Sequence, residues 1–149
     1  MSNLKVQGNA SGSGTTTLQS PNTSTSATIT LPDSTSADTL GYLNAPINSQ
    51  SAAYTAVAAD AGKIIFHPST DANARTFTIP ANGSVAYDTG TVLTFINMTS
   101  QVVTISITTD TLYLAGTGTT GSRSLAQYGI ATAVKMTSTT WLISGTGLT

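Results

Sequence analysis

His67, Ser69 and Asp71 are residue types that could perform nucleophilic catalysis, and they lie within one His-Pro-Ser-Thr-Asp segment. A catalytic triad needs a nucleophile, a base and an orienting acid that converge from different elements, beside donors for an oxyanion. Three residues of one short turn do not meet that requirement, so we predict that His67 ends a strand beside Pro68. The alternative is a metal site on a threefold axis, to which each subunit of a trimer contributes its His67.

Gly116, Gly118 and Gly121 form a G-x-G-x-x-G pattern that follows a predicted strand. In a dinucleotide-binding unit this loop opens a long helix, and an acidic residue follows about 20 residues later. Here the chain returns quickly to a strand pattern, and residue 141 is Trp. We therefore predict a Gly/Thr loop between two strands and no cofactor.

Acid–base chemistry would depend on six aspartates, because the sequence contains no glutamate. All but Asp38 lie beside predicted strand ends or turns, where Asp is favoured by its backbone hydrogen bonds. The absence of cysteine excludes disulfides, thiolate catalysis and cysteine-based metal sites. We expect no catalytic, cofactor-binding or metal-binding residues and no enzyme activity. The six aspartates are Asp33, Asp38, Asp60, Asp71, Asp88 and Asp110.

Hydroxyl side chains replace charged ones throughout the chain. Of its 149 residues, 30 are Thr and 18 are Ser, while only 7% are charged; a typical domain is about 25% charged. Threonine favours strands, and a shortage of Glu, Lys and Arg disfavours solvated helices. The net charge is −1 and the basic residues are scattered, which argues against nucleic-acid and membrane-surface binding. These basic residues are Lys5, Lys63, Arg75, Arg123 and Lys135.

Short strands at regular spacing predict the fold of the second part of the chain. Alternation is clearest at Val103, Ile105 and Ile107, which share one face. The spacing predicts an all-β fold, an antiparallel β-sandwich or jelly-roll-like barrel. The two best helix candidates are single turns, within 53–61 and 124–128. The predicted strands are 64–67, 76–79, 84–87, 91–97, 102–108, 111–115, 130–136 and 140–144.

The first part of the chain has a different character, with small polar residues and one clear strand pattern at 27–31. Too little apolar area is present there to offset the entropy of ordering. We therefore predict an extended Ser/Thr-rich attachment arm over 1–45 and a β-domain over 46–149. Sheet edges with few charges favour pairing with other chains, so we also expect an oligomer.

Aromatic side chains offer a second kind of function. Trp141 and five tyrosines could stack on sugar rings, although Trp141 alternates with Ile143 as a residue of the core or of a subunit interface does. A module that recognises host surface glycan is therefore the alternative to a structural role. The tyrosines are Tyr42, Tyr54, Tyr87, Tyr113 and Tyr128.

Two stretches of the sequence resemble structural proteins of tailed-bacteriophage virions. The arm, GTTTLQSPNTSTSATITLPD, is similar to Thr-rich segments of tail fibres and other virion proteins. The segments GYLNAPINSQSAAYTAVAADAGK, HPSTDANARTFTIPAN, LAGTGTTGSRSLAQYGIATAVKM and TTWLISGTGLT resemble the C-terminal module of such proteins.

This resemblance implies a place and an assembly state. It implies a non-enzymatic homotrimer on the virion surface, made in the host cytoplasm, which decorates or cements the capsid or forms a short fibre. The arm would dock on capsid or tail proteins, and the β-domain would trimerise. The resemblance supplies no functional residue.

Overall fold

A computed structural model describes residues 44–149. This part of the chain is nearly all-β, with nine strands and one short 3₁₀ helix, Ala58–Asp60. None of its helices has the length and apolar character needed to cross a membrane. The strands are β1 (Ile47–Ser49), β2 (Tyr54–Thr55), β3 (Ile64–His67), β4 (Arg75–Ile79), β5 (Val92–Asn97), β6 (Val103–Ile107), β7 (Thr111–Leu114), β8 (Arg123–Thr137) and β9 (Thr140–Leu148).

Strand β8 organises a single curled sheet that resembles half a barrel. One edge of β8 pairs with β6 near its start and with β5 further along, while its other edge pairs with β9. Two series of strands extend from β8, and they are distinct from the attachment arm predicted over 1–45. They are called the odd arm, β5-β3-β1, and the even arm, β6-β4-β2. The chain alternates between the arms from β1 to β6, so successive strands within each arm run parallel.

The prediction of an antiparallel sheet is therefore wrong for most pairings. Five pairs are parallel, including β7 with β9, and only the three pairs that involve β8 are antiparallel. The physical reason is the alternation between arms: from β1 to β4, each strand pairs with the next strand but one. The regular strand spacing, which suggested an antiparallel fold, reflects crossings from one arm to the other.

Alternating side chains from both arms fill one core. Ile65 and Phe95 point inward from the odd arm, and Phe77 and Ile105 from the even arm. Trp141 is fully buried within the chain, which places it in the core, one of the two positions that its alternation with Ile143 allowed. A single shared core explains why the two arms fold as one unit.

A kink in β8 lets that strand pair with both arms. The register with β9 shifts between Leu125 and Ile130, and Tyr128 within this interval has a φ of 60°. Non-glycine residues adopt this left-handed region only rarely, and a bulge of this kind bends a strand. On β9, an added Cβ at Gly145 would lie 2.6 Å from the Cα of Ala131, so the close approach of the two strands requires glycine there.

The other local predictions had mixed outcomes. The strand at 64–67 is confirmed, and those at 76–79, 91–97, 102–108, 111–115, 130–136 and 140–144 match within a few residues except that β8 and β9 are longer. The strand at 84–87 is wrong, because Ala81 accepts the backbone N–H groups of Ser84 and Val85 in a turn. The helical turn at 124–128 is wrong because this segment belongs to β8. Within 53–61, strand β2 comes first and the 3₁₀ helix Ala58–Asp60 follows as the helical turn. Almost all of the arm over 1–45, with its strand at 27–31, lies outside the described residues.

Candidate functional site

His67 ends β3 beside Pro68, as predicted, and its side chain is fully buried. Its Nδ1 lies 2.9 Å from the carbonyl oxygen of Gln50, and its Nε2 lies 3.1 Å from that of Asn73. The ring also packs edge-on against Phe77. Both nitrogens therefore face backbone acceptors inside the fold, which contradicts the alternative of an axial metal site built from His67.

Asp71 lies close to His67 but is bound mainly by another partner. Its Oδ2 accepts the Nε–H of Arg75 at 2.7 Å and lies 3.7 Å from His67 Nε2. The Arg75 hydrogen bond and then that of Asn73 hold the pKa of the Asp71 carboxyl below its usual value. Ser69 is exposed in the turn, and His67 has no free ring nitrogen for it. The three residues form a structural turn rather than a triad.

The contacts of His67 and Asp71 form one polar centre, a cluster of hydrogen-bonded polar side chains. Asp60 forms a second, which the sequence did not reveal. Its buried carboxylate accepts hydrogen bonds from the Asn48 amide, the Tyr54 hydroxyl and the Val57 backbone N–H, each with a donor–acceptor distance of 2.8 Å. Burial and the neighbouring Asp60 raise the pKa of Tyr54. Asp60 thus joins the edge strands β1 and β2 to the 3₁₀ helix.

Lys135 forms a third polar centre, which the sequence also did not reveal. Its side chain is almost fully buried on β8, and its Nζ lies 2.7 Å from Oδ1 of Asn82 and 5.4 Å from the ring centroid of Trp141. Within residues 44–149 the ion pairs are those of Asp71 with His67 and Arg75, so Lys135 has no carboxylate partner there. The contact joins a buried amine to a side-chain amide 53 positions away in the chain.

The glycine pattern forms the predicted loop between β7 and β8. Gly116, Gly118 and Gly121 all have positive φ, and the backbone N–H of Gly118 donates to Leu114. Strand β8, not a helix, follows the loop. No helix N-terminus is therefore available to bind a pyrophosphate at this position.

The remaining candidates are dispersed. Asp88 and Asp110 lie in turns, and residues 44–149 contain no group of three or more His, Cys, Asp or Glu side chains that could hold a metal ion. Asp33, Asp38 and Tyr42 lie outside the described residues. Among the described tyrosines, Tyr87 is buried, while Tyr113 and Tyr128 expose their rings.

The outer surfaces of the two arms differ in chemistry. Side chains of the odd arm and adjoining strands form a face that the register places on the side opposite the core, called the apolar face because aliphatic residues predominate there among uncharged hydroxyl residues. The even arm instead presents a hydroxyl face, where the Thr78 Oγ1 and the Ser106 Oγ form a 2.9 Å hydrogen bond. The apolar side chains of this face are Ile47, Ile64, Phe66, Val92, Ile96, Ile130, Val134 and Leu142 on the apolar face, and the hydroxyl side chains of the same apolar face are Ser49, Thr94, Thr132, Ser144 and Thr146. The hydroxyl face comprises Thr55, Thr76, Thr78, Thr104, Ser106 and Ser124.

Comparison with protein-family models, curated proteins and solved structures finds no match for this chain.

Proposed function

We propose that this protein is a non-enzymatic structural protein that assembles with copies of itself on the surface of a tailed-phage virion. The observation that carries the proposal is the apolar face. Ile47 is 64% exposed and Ile130 is 45% exposed, and their neighbours across the sheet are also aliphatic or hydroxylated. Exposed aliphatic side chains gathered on one uncharged face are typical of protein–protein interfaces.

The chemistry of the apolar face favours a second copy of this chain as its occupant. None of the residues that the register assigns to this face is charged. A charged partner would lose hydration there without gaining an ion pair. Another copy offers the same uncharged surface, and the proposed assembly is a homotrimer.

The role in a virion rests on the resemblance of the sequence to phage structural proteins. In this role the arm over 1–45 binds capsid or tail proteins, and the protein decorates or cements the capsid or forms a short fibre. The proposed β-domain is sandwich-like or jelly-roll-like, with the odd and even arms as its two layers. The shared core of the two arms supports this arrangement.

The assembly is tested by a pair of lysine substitutions. Light scattering coupled to gel filtration should give a trimer mass for the wild type and a monomer mass for Ile130→Lys, because the new charge would be buried at the interface. Thr76→Lys places the same charge on the exposed hydroxyl face and should leave the trimer intact. A monomeric wild type, or a trimer that survives Ile130→Lys, would contradict the proposed interface.

The place in the virion needs a separate experiment. Virions that lack this protein should lose discrete density from the head or tail surface in image reconstructions, and the full-length protein should restore it. A protein that lacks residues 1–45 should still form trimers but fail to restore the density. Unchanged virion density would contradict the structural role.

A receptor-binding module for host glycan is the second candidate, and the exposed tyrosines favour it. Tyr128 is 71% exposed at the kink of β8, and an exposed ring can stack on a sugar. A glycan array with wild type and Tyr128→Ala tests this function. Saturable binding that Tyr128→Ala abolishes would support it, and the absence of binding would leave the structural role.

A further inference from the structure

We propose that Lys135 and Asn82 join in an intramolecular isopeptide bond. The Lys135 Nζ lies 2.7 Å from Asn82 Oδ1, although the two residues are 53 positions apart in the chain. The lysine is 1% exposed, and no carboxylate among the described residues forms an ion pair with it. An amine held against a carboxamide is arranged for acyl transfer.

The reaction needs no oxidant and no cofactor. The unprotonated Nζ of Lys135 attacks Cγ of Asn82, and a new C–N bond forms between them. The bond from Cγ to Nδ2 then breaks, and Nδ2 leaves as ammonia after taking one proton that Nζ gives up. The products are a secondary amide between the two side chains and one molecule of ammonia, so all atoms are accounted for.

The contacts of the amine favour its conversion to an amide. The Lys135 Nζ contacts one amide oxygen and the Trp141 ring, and no carboxylate among the described residues pairs with it. A secondary amide at this position carries no charge and needs no ion-pair partner. The hydrogen bond to Oδ1 also places Nζ next to the carbonyl group that it would attack.

Asp110 acts as a positioning residue for this pair. Its Oδ2 accepts a 3.1 Å hydrogen bond from the backbone N–H of Asn82, and this bond fixes the turn between β4 and β5 that contains Asn82. Trp141 pairs directly with Lys135 across β8 and β9 and borders the amine from the other side. The bond would tie this turn to the central strand β8 and close a covalent loop through the core.

Intact mass spectrometry of the purified full chain tests the bond. The wild-type protein should be lighter than its sequence mass by one ammonia, and Lys135→Met should have its full sequence mass. After trypsin digestion, the segments 76–123 and 124–149 should be recovered as one linked species, because a modified Lys135 is no longer cleaved. A wild type with its full sequence mass would overturn the proposal without reference to any variant.

The dipeptide Asn82-Gly83 creates one rival reaction that the experiment must separate. Attack by the backbone nitrogen of Gly83 on the Asn82 side chain also releases ammonia and forms a succinimide. That product would persist in Lys135→Met and would leave the two tryptic segments unlinked. Ammonia loss with that pattern would overturn the isopeptide bond.

The positioning role has its own test. Asp110→Ala should lower the fraction of linked protein, measured by intact mass at fixed times after synthesis. Asp110→Asn keeps an oxygen that can accept the Asn82 N–H and should restore that fraction. A linked fraction unchanged in Asp110→Ala would remove Asp110 from the proposal.

Discussion

The side-chain amide of Asn48 donates a 2.8 Å hydrogen bond to the buried carboxylate of Asp60, and this bond connects edge strand β1 to the 3₁₀ helix. Tyr54 on β2 donates to the other oxygen of the same carboxylate. Strands β1 and β2 contain only three and two residues, too few for backbone pairing alone to hold them well. One aspartate therefore stabilises the outermost strand of each arm.

We predict that Asp60→Ala destabilises the domain. The substitution leaves the donors of Asn48, Tyr54 and Val57 without their acceptor, and unsatisfied buried donors cost about 1–3 kcal/mol. Urea unfolding followed by circular dichroism measures the loss. Asp88→Ala removes an exposed carboxylate and should change stability by no more than about 0.5 kcal/mol. Equal effects of the two substitutions would contradict the role of Asp60.

A second prediction concerns acid stability. The pKa of Asp71 is lowered by Arg75, then by Asn73 and His67, so its native carboxylate form is favoured. A lowered native pKa contributes stability above the unfolded value of about 4 and loses it as the pH falls through the native pKa. Arg75→Gln should therefore be less stable than the wild type at neutral pH, and the difference should shrink in acid.

Unfolding in urea at a series of pH values measures this difference. Lys63→Gln is the matched control, because it removes one positive charge from a residue that forms no ion pair within residues 44–149. Its difference from the wild type should vary much less with pH. An Arg75→Gln deficit that stays constant into acid would show that Arg75 does not act through Asp71.

The sequence predicted the strands that bury one clean face, and the reason is visible in β6. Val103 and Ile105 point into the core, so burial follows the alternation that the sequence shows. Strands β1 and β2 escaped prediction because they carry too few apolar residues to form a pattern. The start of β8 escaped it because the kink at Tyr128 interrupts the alternation. Strand direction was mispredicted because alternation does not distinguish parallel from antiparallel pairing.

The polar centres were less predictable than the strands. Turn chemistry correctly placed Asp71 in a turn and Asp110 beside strand ends, and the single histidine was correctly placed at the end of a strand. The partners of Lys135 and Asp60 depend on tertiary contacts: Asn82 is 53 positions from Lys135, and Asn48 is 12 positions from Asp60. Residue types at those separations carry no local signal.

A third prediction concerns Tyr87, whose contribution to stability should be lost at high pH, whereas that of Asp71 is lost at low pH. Its hydroxyl donates to the Val57 carbonyl over 2.6 Å, and burial raises its pKa well above the usual value, with smaller effects from Asp60 and Tyr54. Tyr87→Phe should cost about 1 kcal/mol at neutral pH because it removes this hydrogen bond. A raised native pKa contributes stability that is present below the unfolded value of about 10 and lost as the pH rises through the native one. The gap between wild type and variant should therefore narrow in strong base.

Thermal unfolding at neutral and alkaline pH measures both parts of the Tyr87 prediction. Tyr128→Phe removes a hydroxyl from a side chain that is 71% exposed, and its neutral-pH stability should match the wild type. If Tyr87→Phe and Tyr128→Phe behave alike at neutral pH, the hydrogen bond to Val57 contributes nothing.

The last prediction concerns the close packing of β9 against β8. An alanine Cβ at position 145 would lie 2.6 Å from the Cα of Ala131 and closer still to the carbonyl oxygen of Ile130, which are backbone atoms that cannot rotate away. Gly145→Ala should therefore force the strands apart and cost about 1–3 kcal/mol, as overpacking does in cores. Gly83→Ala is the matched control, because an added Cβ there has no atom within 4 Å. Urea unfolding compares the two, and a Gly145→Ala protein as stable as Gly83→Ala would show that β8 and β9 lie further apart than described.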